Sequence, residues 1–373
     1  MSASKVAKGL SATVVFLITC AQVSCSSSDE GFPPWQLDDL KSADGFSLRV
    51  PEFQVPSGHE SQNCYFLTAP DLAAGQDYWV DRVLTALNPG SHHVTVFRVR
   101  TIKNLDPAAG APVQLGAYHG TLIEGGDDTK SNPCWDSSNW GDWPLVANSQ
   151  QSTIDDYQTD WKLPSGVAMR FTPGEMLMLQ THYVNTTDQP TKFGARVGFN
   201  FYRYKQPQSP SELGTLFAFQ TKIRICASQP DVTYSGTCSF PSPVTIAAAN
   251  GHFHKRGRTF DMNTWDGVST KRPASTAQFY QSVNWNEPSM STGLNVTTPP
   301  GGGIWYDCGF EWKAPSYVTC DDVNAKDPMH ANDCCYTFGG ITDIGEHCNL
   351  FLYYYPKLDQ PITCTGNDGP VID

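Results

Sequence analysis

Short β-prone runs recur along this chain, and turn-forming residues interrupt them before a helical period can establish itself. "HHVTVFRVR", "GEMLMLQTHYV", "ARVGFNFYRY", "TLFAFQTKIRI", "PVTIAAANGHFH" and "HCNLFLYYYP" are rich in β-branched and aromatic residues. Clusters of Pro, Gly, Asn and Asp such as "ALNPG", "NTTDQP" and "TTPPGGG" separate them. That punctuation suits antiparallel sandwiches or barrels, so the expected fold class is all-β. A length of 373 residues leaves room for two domains of ordinary size. The polar stretch Lys205–Gly214 carries two prolines and marks the expected boundary, dividing 46–205 from 206–373. The segment Ala117–Tyr157 is poor in β pattern and rich in Gly, Asp, Ser and Trp. It reads as a long excursion pinned by Cys134.

Residues 1–24 read as a secretion signal. Lys5 and Lys8 precede the apolar "ATVVFLIT", which is too short to span a bilayer. Two cysteines stand where a bacterial lipoprotein is cleaved and acylated, Cys20 in "LITC" and Cys25 in "QVSC". A flexible tether, 25–45, follows. The expectation is an exported protein, either a lipoprotein of the outer membrane or surface or a plain secreted one. Loss of residues 1–24 removes two lysines and takes the formal net charge from −12 to −14. Phosphates would repel such a chain, so nucleic acid is not expected as a partner.

Beyond the signal stand ten cysteines: Cys64, Cys134, Cys226, Cys238, Cys308, Cys320, Cys334, Cys335, Cys348 and Cys364. An even number in an exported chain reads as a disulfide framework. A zinc ribbon needs Cys-x-x-Cys pairs, and there are none. Cys334 and Cys335 are adjacent and cannot easily bond to each other, so they reach separate partners.

Three histidine clusters sit beside strand-like runs: His92-His93, His182, and His252 with His254. Imidazole is a common ligand for copper, zinc and nickel. Neighbours on a regular strand point to opposite faces, so His92 and His93 can share a metal only if the backbone turns or bulges, and "NPGS" supplies the means. Met178, Gln180 and His182 share one side of their strand, while Leu177, Leu179 and Tyr183 suit a core-facing side. Three imidazoles from two strands then make a first site; the alternative is that His92 and His93 are exposed polar residues at a strand start. His252 and His254 lie one strand period apart, and His347 is the candidate third donor. His119 and His330 are further possibilities, more simply read as loop histidines, as is His59.

The ordered set "SHHVTVF", "LPSGVAMRFTPGEMLMLQTHYVN", "GHFHKRGRTF" and "FGGITDIGEHCNLFLYYYP" resembles the type II copper, ascorbate-dependent monooxygenases, from about Phe53 to Pro356. The resemblance implies two antiparallel jelly-roll-like sandwich domains, disulfide-stapled, each with one copper. It implies that His92, His93 and His182 hold an electron-storing copper in 46–205. His252 and His254 would help hold a second copper in 206–373, where dioxygen oxidises a C–H bond of a small-molecule or peptide substrate. Ascorbate or an equivalent would be the reductant.

The family's Glu-Met-Cys is here Glu346-His347-Cys348. His347 therefore replaces a methionine ligand, or Met329 in "DPMHAND" supplies the sulfur. Imidazole is the harder donor and holds cupric copper better. The resemblance also implies the disulfides Cys308–Cys348 and Cys226–Cys364, with Cys64–Cys134 in the first domain and Cys238, Cys320, Cys334 and Cys335 additional. The rival to an enzyme is a surface copper-binding or storage protein without turnover.

Overall fold

Alternation along one sheet layers this protein. In the strands Gly214–Phe219 and Asn349–Tyr355, the side chains of Phe217, Phe351 and Tyr353 enter one hydrophobic core, and those of Leu216, Ala218, Leu350, Leu352 and Tyr354 enter another. A strand buried on both faces does this by its two-residue period. These strands lie side by side, with Thr245–His252 and then Ser291–Thr297 completing a four-stranded antiparallel sheet, here called the shared sheet. The computed structural model describes residues 35–100, 120, 122–124, 134, 143–153, 155–316, 318–324 and 333–366. The signal segment, with Cys20 and Cys25, as well as His119, Met329 and His330, lies outside the described residues.

The described residues are almost wholly β, in several antiparallel sheets. In the first half, one sheet runs Leu122–Glu124, Glu60–Thr68, Met176–Val184, Ser91–Arg98, Leu145–Ser149. Another is built on Gly45–Arg49, Gly198–Arg203, Tyr78–Ala86 and Val167–Phe171. In the second half, an outer sheet runs Gln278–Ser282, Gly257–Trp265, Gly303–Glu311, Asp231–Ser239, Thr363–Cys364. The cores change over between Leu213 and Leu216, at the end of the polar stretch Lys205–Gly214.

Two sequence expectations need correction. The end of the expected tether is not loose: Leu37 is buried, its amide bonds the Arg196 carbonyl at 3.0 Å, and Gly45 opens a strand. The excursion contains the fully buried strand Leu145–Ser149, whose five residues are too few and too polar at their end to show a period. In Met176–Val184 both sides are covered, Met178 being as buried as Leu177 and Leu179. The face bearing Met178 meets the shared sheet through Phe97, whose ring centroid is 5.7 Å from that of Phe217.

Five disulfides staple the described residues: Cys64–Cys134, Cys226–Cys335, Cys238–Cys364, Cys308–Cys348 and Cys320–Cys334. Cys64–Cys134 and Cys308–Cys348 pair as the resemblance implies. Cys226–Cys364 does not form. Strand register is the reason: Cys226 lies opposite Cys335 and Cys238 opposite Cys364, each pair with Cα atoms 4.0 Å apart. Cys334 and Cys335 do reach separate partners. Non-reducing peptide mapping should recover these five links, and a peptide joining Cys226 to Cys364 would show the registers to be wrong. Cys308→Ala should lower stability by about 2–5 kcal/mol in urea unfolding.

Candidate metal centre

The first three histidines meet across two paired strands. His182 lies directly opposite His93, but Tyr183 lies opposite Ser91, so His92 is the extra residue of a β-bulge. A bulge breaks strict alternation and re-aims a side chain, which lets His92 and His93 turn toward one space. Their ring centroids are 5.4 Å apart and lie 5.0 and 5.2 Å from that of His182. The turn before them needs Gly90, whose φ is +96° and where a Cβ would fall 2.5 Å from the Phe193 ring.

The other histidines come from the shared sheet by alternation. Asn250, His252 and His254 point to the first half, while Phe253 enters the second core. The chain turns just after His254, and Gly257 folds back over Phe253 so tightly that a Cβ there would lie 1.7 Å from its ring. His347, between the strands Gly345–Glu346 and Asn349–Tyr355, stacks 4.3 Å from His254. It hydrogen-bonds His252 through Nδ1 to Nε2 at 3.1 Å.

Two histidine sets on facing layers therefore form one cluster. The ring of His92 is 4.8 Å from His252 and 5.3 Å from His254, and His93 is 4.8 Å from His252. All six rings are buried, His93 being the most exposed at 6 %. Among the described residues, two triplets have ligand atoms within 4.8 Å of one another: His92/His93/His182 and His92/His252/His254. A third group, Cys226/Asp333/Cys335, is spoken for by its disulfide. His59 is exposed and belongs to neither triplet.

Hydrogen bonds decide which nitrogen each ring offers. Glu60 Oε2 is 2.7 Å from His182 Nε2. Burial opposes ionisation of Glu60, but the hydrogen bond to His182 and two bonds from Thr342 outweigh it and hold the carboxyl below its usual range. An ionised carboxylate only accepts, so Nε2 of His182 donates and Nδ1 is left for a ligand bond. Asn250 Nδ2 donates to the Pro288 and Ser289 carbonyls, so its Oδ1 accepts from Gln150 Nε2 at 2.8 Å and Asn148 Nδ2 at 2.9 Å. Gln150 Oε1 must then face His252 Nδ1, at 3.0 Å, and His252 presents Nε2. His254 Nδ1 bonds the Gly345 carbonyl at 3.2 Å and likewise presents Nε2.

Glu346 anchors that turn. Its buried carboxylate accepts from the amides of His254 at 2.9 Å and Arg256 at 2.8 Å, and it pairs with the Arg256 guanidinium. Burial pushes the Glu346 carboxyl up, and Arg256 pulls it back only in part. Sequence reasoning named the six histidines but missed Glu60 and Gln150, since a polar residue at a strand start or in a loop gives no signal of its burial.

The residues present fit a transition-metal ion, copper among them. Burial pushes His92, His93, His252 and His254 well below the usual histidine pKa, and the neighbouring imidazoles push them further, so each is neutral and its lone pair is available. His92 Nδ1 and Nε2, His93 Nδ1, His182 Nδ1 and His254 Nε2 are buried with no hydrogen-bond partner among the described residues. An unsatisfied buried polar atom costs about 1–3 kcal/mol, a cost that a metal ion would offset. Neutral imidazole suits copper, zinc and nickel alike. No protein-family model matches the chain, and no curated protein matches it.

Two measurements test this geometry. The four neutral histidines take up protons on unfolding below about pH 6.5, so the stability from their neutral form is complete above that pH and lost as pH falls through it. Glu346, with its raised carboxyl, acts in the opposite sense as one group against four. The urea midpoint of the metal-free protein should fall between pH 7 and 5.5, and a flat profile would mean that the rings are not buried. Glu60→Gln keeps the shape but removes the carboxylate charge that faces His182 Nε2. It should weaken metal binding by about 10–100-fold while leaving the fold intact; unchanged affinity would remove Glu60 from the centre.

Proposed function

We propose that this chain is an exported copper-dependent monooxygenase, hydroxylating an aliphatic or benzylic C–H bond with dioxygen and an external reductant such as ascorbate. One observation carries the reading: six imidazoles from the ordered motifs meet in one buried cluster, and nitrogens of His92, His93, His182 and His254 have no hydrogen-bond partner there among the described residues. The resemblance of those motifs to the type II copper monooxygenases supplies the chemistry, with one jelly-roll-like domain contributing each histidine set. His92, His93 and His182 would hold one copper; His252, His254 and His347 would hold the other. Copper bound there supplies one-electron redox chemistry and the activation of dioxygen.

The chain's own residues orient and protect. Glu60 and Gln150 fix the tautomers of His182 and His252, and the two layers exclude bulk water. Five disulfides suit an oxidising compartment. Among the described residues no helix is long and apolar enough to cross a membrane. Export through 1–24, with Cys20 or Cys25 as a lipid anchor, belongs to the same proposal, as does a small-molecule or peptide substrate.

A second reading, copper binding or storage without turnover, is favoured by two features. All six rings are 6 % exposed or less, and His347 brings nitrogen where the resembling enzymes have sulfur, which favours cupric over cuprous copper. Copper-loaded protein with ascorbate should consume dioxygen and hydroxylate a member of a panel of aliphatic and benzylic compounds, and His182→Ala should abolish this. Tight copper without oxygen uptake above free copper would establish storage, and the absence of bound copper would end both readings.

A further inference from the structure

We infer that His92 is shared between the histidine sets, so that its ring, with His252 and His254, forms a metal site joining the two halves. This rests on the metal-centre reading above but departs from its division into two independent triplets. The ligand atoms of His92, His252 and His254 lie within 4.8 Å of one another. His92 is 2 % exposed, and neither of its ring nitrogens has a hydrogen-bond partner among the described residues. His254 Nε2 is equally without one, and Gln150 holds the His252 tautomer that presents Nε2.

His347 holds a different position. Its Nδ1 lies 3.1 Å from His252 Nε2. With His252 Nδ1 carrying its proton to Gln150, that Nε2 accepts and His347 Nδ1 donates. A metal ion arriving at His252 Nε2 replaces this hydrogen bond. The ligand atoms of His252, His254 and His347 do not all lie within 4.8 Å of one another, as those of His92, His252 and His254 do. The bulge at His92 sets its ring between His182 of the facing strand, 5.0 Å away, and His252 and His254 across the junction, 4.8 and 5.3 Å away.

Zinc tests the assignment without redox chemistry. The metal-free full chain is titrated with zinc against a chromogenic chelator, and thermal unfolding is followed with and without zinc. His92→Ala and His252→Ala should each weaken the tightest ion by roughly tenfold or more and lose its thermal stabilisation; the double variant should be little worse than either single. His93→Ala and His347→Ala should keep that ion within about threefold. His92→Gln, judged by its metal-free melting temperature, guards against a folding defect in His92→Ala. The inference is overturned if His92→Ala keeps the tightest ion at wild-type affinity, or if His347→Ala destroys it while zinc still binds elsewhere. Failure of the wild type to bind zinc or copper at all is a different result, which overturns the metal-centre reading along with this one.

Discussion

A strand buried on both faces must divide its side chains between two interiors, and the shared sheet shows what that division accomplishes. Its apolar residues serve a core on each side. Where Thr245–His252 runs out of apolar residues, the same alternation sends Asn250, His252 and His254 to one side and Phe253 to the other. The layer they meet carries His93, Gln180 and His182 on its facing side, with His92 displaced by the bulge. Hydrophobic packing between layers thereby sets the distance between imidazoles that lie far apart in sequence.

Around the rings, polar groups are arranged in pairs that cross the junction. Glu60 reaches His182 on its own sheet and Thr342 in the second half. Gln62 donates to the Gly340 carbonyl at 2.6 Å, and Asn148 and Gln150 both converge on Asn250. Tyr353 adds a bond to Asn148 at 2.6 Å. Buried networks of this kind stabilise one arrangement only when every member is satisfied. Here they are satisfied at the periphery and left open at the rings.

Much of this was legible in the sequence, because strand period and turn residues report directly on local structure. The six histidines, the need for a bulge at His92-His93, the separate partners of Cys334 and Cys335 and the all-β class all rest on such local signals. The bridges of Cys226 and Cys364 were not legible: which cysteine lies opposite which depends on the register between strands distant in sequence. The strand Leu145–Ser149 was hidden because burial on both sides erases the alternation that marks a half-exposed strand. Glu60 and Gln150 were missed for a related reason, since their importance comes from what the fold places beside them. The merging of two expected sites into one cluster is a property of how layers face each other, which no single motif encodes.

Cys308–Cys348 binds the outer sheet to the residue next to His347, and Cys64–Cys134 anchors the strand that carries Glu60. Both covalent links bear on the centre without touching it. They close only in the presence of an oxidant, so if the chain is exported as proposed, the scaffold of the centre matures outside the compartment where the chain is made. An ion held between the layers, as proposed, could not leave by a simple ligand exchange at the surface. Its escape would require the layers to part, and the residence time of the metal would become a clock for that opening.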